Sequence, residues 1–329
     1  MSHSCKILQT SAENIDLCVD LLRDGVVLGV PTETVYGLAG NALKEESVRR
    51  IFEVKGRPLL DPLIVHFSSI KQAEAHVEFN ERARALAAQF WPGALTLVLR
   101  KKDTISDLVT AGLPSVAVRV PGHPIFRKLL ERLEFPLAAP SANPFGYVSP
   151  TLAEHVAATL GDRVIAVLDG GACEYGVEST IADLRNPDTP TILRPGPLSA
   201  EQLGMQSVEV EQPSNKTAQP APGMLSLHYS PNTPIMLFRH GERPSCVQKS
   251  EAVLYNTKPA ADKLAENIFW LSESGDLKEI AHNLFTLIQK LDVRGYTQLQ
   301  VERAENVDIG IAVNDRLIRA AAKLSLIHI

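Results

Sequence analysis

The 329-residue chain lacks most of the signatures that assign an enzyme at sight. No Gly-x-Gly occurs, which removes the dinucleotide fingerprint, and no Gly-Lys pair occurs, which removes the P-loop. There is no His-Glu-x-x-His and no Gly-x-Ser-x-Gly, so zinc-peptidase and α/β-hydrolase chemistry are excluded. The nine histidines show no metal-ligand spacing, and no protein-held metal is expected. The four cysteines, Cys5, Cys18, Cys173 and Cys246, lie far apart with no Cys-x-x-Cys pair. They read as reduced thiols of a cytoplasmic protein, not as a disulfide frame or zinc site. No run approaches ~18 uninterrupted apolar residues, so no membrane contact is expected. Met1 to Thr10 also lacks the basic and apolar regions of a secretion signal.

What is present is the composition of a folded protein, with 45% hydrophobic and 22% charged residues, enough for two buried cores. Lys and Arg total 33 against 38 Asp and Glu, a net charge of −5 that argues against sequence-blind DNA coating. Neither half is a basic module: residues 1–200 carry 20 basic and 23 acidic side chains, and 201–329 carry 13 and 15. A local basic pocket remains compatible with that balance.

The first two hundred residues alternate helical and strand patterns. Ser11 caps a helix bearing Ile15, Cys18, Leu21 and Leu22 on one face and stopping at Gly25. Val26–Val30 reads as a strand, and Leu43–Val54 as an amphipathic helix. Leu63–Phe67, Leu95–Arg100, Val116–Val120, Val164–Leu168 and Ile181–Leu184 are strand-length apolar runs, with helical patterns near 80–90, 123–133 and 151–160. Thr151 with Glu154 and Ser199 with Gln202 have capping-box spacing. The fold class is α/β with a mixed sheet. Residues 209–223, rich in Pro, Gln, Ser and Ala, read as a linker. Strands at Ile235–Phe238, Ala252–Tyr255, Ile268–Leu271 and Leu299–Glu302, a helix at Asp276–Leu291 and another from about Asn314 predict a small second α/β domain. The apolar ending after Lys323, residues 324–329, is unlike the end of a soluble domain and is expected to be a non-native tail.

Polar groups cluster at strand ends, where α/β sheets place sites. Pro31-Thr-Glu-Thr-Val-Tyr-Gly37 offers the hydroxyls of Thr32 and Thr34, although it can equally be a turn with a helix cap. Lys55-Gly-Arg57, stiffened by Pro58 and Pro62, leads into a strand ending at His66. A mobile lysine beside an arginine fork suits a polyphosphate, while His66 alone can be a packed histidine. Arg119 interrupts the apolar strand Ser115-Val-Ala-Val-Arg119, so it needs either a bound carboxylate or an internal salt bridge. Ser141, Asn143 and Ser149 sit in a rigid, proline-rich loop, and Gly176-Val-Glu-Ser179-Thr and Leu193-Arg194-Pro-Gly follow. Together they supply cations and hydroxyls but no nucleophile with a paired base, which favours positioning of a phosphate ester over covalent catalysis.

These runs, PTETVYGL, KGRP followed by PLIVH, SVAVRVP, APSAN, GVESTI and LRPG in this order, resemble the Sua5/YrdC family of L-threonylcarbamoyladenylate synthases. The resemblance covers essentially the whole chain. It implies a YrdC-like mixed twisted sheet with helices at 1–205, a linker or lid at 206–233, and a smaller Rossmann-like Sua5 domain at 234–323. It also implies condensation of L-threonine, bicarbonate and ATP to threonylcarbamoyl-AMP and pyrophosphate. The product would serve the N6-threonylcarbamoyladenosine modification through a downstream tRNA threonylcarbamoyl transferase complex, with room for weak RNA contact.

By the same resemblance Lys55, Arg57, Ser141 and Asn143 form the functional tetrad, and Thr34, His66, Arg119 and Ser179 line the threonine pocket. Ser115, Ser141, Ser149 and Arg194 join Lys55 and Arg57 around ATP, Tyr229 closes over the nucleotide, and Mg²⁺ arrives with the phosphates. The chain departs from the family at Asp61, where a nucleotide contact becomes doubtful, and at Leu-Ser-Leu before His228. Two alternatives stand beside this reading. One is a hydrogenase-maturation carbamoyltransferase, whose acylphosphatase and zinc-finger segments the cysteines here do not provide. The other is an RNA-binding or ribosome-assembly factor, disfavoured by the net charge.

Overall fold

The computed structural model describes residues 5–205, 219–223, 228–244, 247–260 and 264–325. Most of the expected linker, Cys246, residues 225–227 and residues 326–329 lie outside these.

The first half builds an eleven-stranded sheet. Its strands are β1 (Lys6–Gln9), β2 (Leu28–Val30), β3 (Gly37–Asn41), β4 (Ile64–His66), β5 (Val77–Glu78) and β6 (Leu95–Lys101). They continue as β7 (Ser115–Arg119), β8 (Leu137–Ala138), β9 (Ala166–Asp169), β10 (Thr180–Asp183) and β11 (Thr191–Arg194). The order is β1-β9-β2-β3-β8-β4-β7-β6-β10-β11, with β5 paired to β6. The sheet is mixed: β4 runs parallel to β7 with His66 opposite Arg119, whereas β6 is antiparallel to β7 and β11 to β10. The C-terminal ends of β4, β7 and β11 and the start of β10 therefore share one edge of the sheet. Loops and side chains that meet there form the site.

Helices α1 (Ala12–Arg23), α2 (Glu45–Lys55), α3 (Ile70–Glu74), α4 (Glu81–Phe90), α5 (Asp107–Thr110), α6 (Pro124–Glu131) and α7 (Ala153–Leu160) accompany this sheet. In α1 the Ser11 hydroxyl accepts from Asn14 N at 3.1 Å, and Ile15, Cys18, Val19 and Leu22 are buried against Phe126, Leu129 and Leu130 of α6. Val19 joins the buried stripe, and Leu21 packs against it half-buried. Helix α2 buries Val48, Ile51 and Phe52 and ends at Gly56, whose φ of +62° reverses the chain at little steric expense. That reversal follows Lys55 directly and turns Arg57 inward.

Two expected caps resolve differently. Helix α7 is preceded by Leu152 without a side-chain cap, and the Thr151 hydroxyl instead meets Thr286 of the second half at 2.7 Å. Ser199 and Gln202 do form the reciprocal pair, at 2.8 and 3.3 Å, but on a turn. Strands β1, β3, β5, β8 and β11 go beyond the sequence expectation. The segment after β2 turns back as β3 instead of entering a helix.

The second half is a four-stranded, fully parallel sheet in the order β12-β15-β13-β14: β12 (Ile235–Phe238), β13 (Glu251–Thr257), β14 (Ile268–Ser272) and β15 (Gln298–Glu302). Helices α8 (Leu277–Asp292) and α9 (Asp308–Ser325) pack on it, and α9 begins six residues before the expected Asn314. Its core cluster, with Leu284, Phe285, Ile288 and Leu317, extends to Val35, Val148 and Val177 of the first half and to Tyr229. The two halves thus share apolar contacts beside the site. Among the described residues no helix is long and apolar enough to cross a membrane.

Candidate active site

At that sheet edge a cavity gathers eight of the expected residues: Thr34, Arg57, His66, Arg119, Ser141, Ser179, Arg194 and Tyr229. Thr32, Glu178, Pro222, Gly223 and His228 also line it. Lys55, Asn143, Ser115 and Ser149 do not, although the first two act on its wall.

One end is organised around Arg119. Its guanidinium meets Glu33 Oε1 at 2.6 Å and donates to Thr34 Oγ1 and Gly93 O, both at 3.0 Å. The internal salt bridge left open by the sequence is therefore real, with Glu33 as the partner. Glu33 Oε1 also accepts from Gly122 N at 2.8 Å. Burial pushes the Glu33 carboxyl upward, but Arg119 and the Gly122 amide outweigh it and hold the group below the usual carboxylate range. Thr32 donates to Val35 O at 2.6 Å, so in its 2.8 Å contact with Thr34 the Thr34 hydroxyl is the donor, leaving its oxygen to accept from Arg119. His66 packs 5.5 Å from Phe126, and burial, aided by Arg119, pulls its pKa down to about 3. It is a neutral imidazole whose Nδ1 lacks a hydrogen-bond partner among the described residues.

The other end holds the remaining cations. Lys55 Nζ donates to Ser141 O at 2.5 Å and Asn143 O at 2.7 Å, which fixes the proline-rich loop against the end of α2. Burial, joined by Arg57, draws the Lys55 amine well below the usual lysine range. Asn143 Nδ2 donates to Pro144 O at 2.9 Å, so its amide serves the same loop. Arg57 donates through Nε to Asp61 O at 2.9 Å and through Nη2 to Pro62 O at 2.7 Å, and pairs with Asp61 Oδ2 at 2.9 Å. Asp61 thus faces Arg57, not the cavity. Arg194 donates to Ser179 O at 3.0 and 3.2 Å, to Ser179 Oγ at 3.1 Å and to Pro222 O at 3.3 Å.

Ser149 lies behind the wall, its hydroxyl 2.5 Å from Glu178 Oε1. Ser115 is buried at the opposite end of β7 from Arg119, and its Oγ has no hydrogen-bond partner among the described residues. Tyr229 closes the cavity beside His228, at 4.1 Å between rings, and holds a left-handed φ of +64°. Gly223, at φ +76°, passes beneath it: a Cβ there would stand 2.7 Å from Tyr229 Oη and 3.0 Å from Arg194 Nη1.

Sequence reasoning missed Glu33 and Glu178 as wall-building residues. Both stand inside the quoted motifs, and the signal that could have found them is an arginine needing a buried counter-charge.

Comparison with known proteins follows the same division of the chain. Residues 20–196 match the Sua5_yciO_yrdC family model, described as "Telomere recombination". Residues 198–322 match the "Threonylcarbamoyl-AMP synthase, C-terminal domain". The chain is 40% identical to the threonylcarbamoyl-AMP synthase of Pyrococcus abyssi over 93% of its own length and 94% of the relative's. It is 36% identical to that of Bacillus subtilis, over 95% and 94%. It superposes with a TM-score of 0.87 on the crystal structure of P. abyssi Sua5 complexed with L-threonine, at 37% identity and 97% coverage of both chains. The chain belongs to the Sua5 family of threonylcarbamoyl-AMP synthases.

Proposed function

We infer that this chain condenses L-threonine, bicarbonate and ATP into threonylcarbamoyl-AMP and pyrophosphate, in the cytoplasm and for tRNA modification. The observation that carries this reading is a cavity joining an electroneutral Glu33–Arg119 end to a cation-rich Arg57–Arg194 end. The RNA-binding alternative is not favoured: the cations are buried, where an RNA backbone does not reach.

In this reading the threonine carboxylate lies against Arg119, with Thr34, His66 and Ser179 around the rest of the amino acid. Its amine adds to bicarbonate, water leaves, and a carbamate remains. A carbamate oxygen then forms a bond to the α-phosphorus of ATP as the bond to the bridging oxygen breaks, and pyrophosphate departs. Neutral His66 can accept a hydrogen bond at Nδ1 without adding charge beside Arg119. Arg57 and Arg194 meet phosphate charge, and Lys55 orders the Ser141–Asn143 loop beneath it. Mg²⁺ finds no cage here, because the nearby carboxylates Glu33, Asp61 and Glu178 each face an arginine. No group of three or more candidate ligands exists among the described residues. The ion is assigned to the phosphates of the nucleotide.

Pyrophosphate release from ATP tests the proposal. It is expected to require both L-threonine and bicarbonate, and release that ignores either one defeats it.

A further inference from the structure

Arg316 belongs to α9, in the second half of the chain, yet its side chain is fully buried against the first. A buried guanidinium persists only when its donors are matched. Nε donates to Glu178 Oε2 at 2.7 Å, Nη1 to Asp315 Oδ2 at 2.6 Å and Nη2 to Pro195 O at 3.0 Å. The guanidinium carbon lies 5.2 Å from the centre of the Tyr229 ring, which also stacks on Phe285 of α8 at 5.7 Å. Glu178 and Tyr229 line the cavity, whereas Arg316 does not.

We propose that Arg316 is a positioning residue for this cavity, holding the Glu178 carboxylate and the Tyr229 ring in place, so that helix α9 of the second half completes the reaction site. The inference rests on the synthase reading above. Glu178 stands directly before Ser179 and accepts from Ser149, so its orientation fixes two neighbours at once. Tyr229 keeps a left-handed backbone that surrounding packing sustains, and Arg316 and Phe285 supply the part of that packing that comes from the second half.

The groups facing Glu178 are Ser149, Arg194, Tyr229 and Arg316, with Lys55 acting at longer range and Asp315 paired with Arg316. Burial pushes the Glu178 carboxyl up, and Arg316 followed by Arg194 outweighs it and keeps the group ionised. Removing Arg316 leaves burial less opposed, so Glu178 takes up a proton at higher pH than before.

The test is steady-state pyrophosphate release across pH. Arg316→Met is expected to run at least about tenfold below wild type near neutrality, with the variant-to-wild-type ratio rising as pH increases. Adding Glu178→Gln should flatten that ratio. Arg316→Lys keeps a cation but not the planar fork, and should lose about threefold to tenfold at every pH. It decides the matter if Arg316→Met does not fold. Tyr147→Phe removes the 2.7 Å bond to Asp292 across the same seam and should stay within about twofold of wild type. Wild-type rates in Arg316→Lys, a pH-independent ratio in Arg316→Met, or an equal loss in Tyr147→Phe would overturn the positioning role. A wild-type chain that releases no pyrophosphate overturns the synthase reading and this inference with it.

Discussion

At one end of the cavity the Arg119 guanidinium meets a carboxylate, Glu33, at 2.6 Å. At the other, Lys55 and Arg194 are held by the backbone carbonyls of Ser141, Asn143, Ser179 and Pro222, and the nearby Glu178 carboxylate is paired with Arg316. A carboxylate orients an arginine and cancels its charge, whereas a carbonyl orients a cation and leaves the charge in place. The first end therefore suits a ligand that brings its own balanced charges, as an amino acid does. The second suits a polyanion. Arg57 lies between the two cases, paired with Asp61 but also bonded to two carbonyls.

The largest effect should come from the polyanion end. Arg57→Ala alone would strand a buried Asp61, so it is combined with Asp61→Asn. That double variant should unfold close to the wild-type temperature yet lose about 2–4 kcal/mol of transition-state stabilisation in kcat/KM. Pyrophosphate release and thermal melting check the two halves of this statement, and near-normal turnover would break the assignment of charge to this end.

The neutral end should respond differently. Glu33→Gln leaves Arg119 without its counter-charge, and the KM for L-threonine should rise about tenfold to a hundredfold while that for ATP stays put. An equal shift in both would erase the distinction between the ends. The same substitution has a signature in stability. The folded Glu33 carboxyl sits below its unfolded value, so its contribution is complete above the unfolded pKa and disappears as pH falls through the folded one. Urea unfolding of wild type and Glu33→Gln should therefore differ above about pH 4.3 and converge as pH falls below it.

Much of this contrast is legible in the order of residues alone. Strand ends carry the motifs, and apolar runs locate β4, β6, β7 and β10 to within a residue or two. The residues brought into the cavity come from seven separate segments, and only the family resemblance links them in sequence. Glu33 is inconspicuous there, because a carboxylate between two threonines looks like turn chemistry until Arg119 is seen to require it. Arg316 is not legible at all: in sequence it sits between Asp315 and Leu317 of a helix with Arg319 near, a pattern that reads as a charged outer face. Its burial depends on α9 docking against Pro195 and Glu178, more than a hundred residues away. Short strands such as β8, two residues long, carry too little periodicity to detect. Thr151 shows how tertiary structure overrides a local signal, since Thr286 captures the hydroxyl that would have capped α7.

Lys55 sharpens the comparison further, because its charge at the polyanion end is conditional. Burial holds the amine well below the lysine range, and a bound triphosphate would favour its protonated form. Nucleotide binding should then take up a fraction of a proton, and ATP affinity should fall as pH rises, by about tenfold per unit at most. Calorimetry in buffers of different ionisation enthalpy reads the uptake directly. L-threonine binding, at the neutral end, should show none, and equal uptake by both ligands would contradict the division.

The smallest effect on turnover is expected at Asp292, which uses a carboxylate in the same way as Glu33 but outside the cavity. It accepts from Tyr147 Oη and Thr233 N, both at 2.7 Å, and from Asn232 N at 3.2 Å, tying the end of α8 to the first half. A negative charge at a helix C-terminus is unfavourable against the dipole, so these donors must outweigh that penalty. Burial pushes its carboxyl up, while the Thr233 amide and Tyr147 bring it below the usual range. Asp292→Asn replaces one acceptor oxygen by a donor and should cost about 1–2 kcal/mol of stability at neutral pH. That difference should fade as pH falls through the folded carboxyl's pKa. Turnover should change by less than about twofold, because no group that lines the cavity is among its partners. If Asp292→Asn slowed catalysis as much as Glu33→Gln, the rate would be set by the seam between the halves, and the contrast between the two ends would lose its explanatory force.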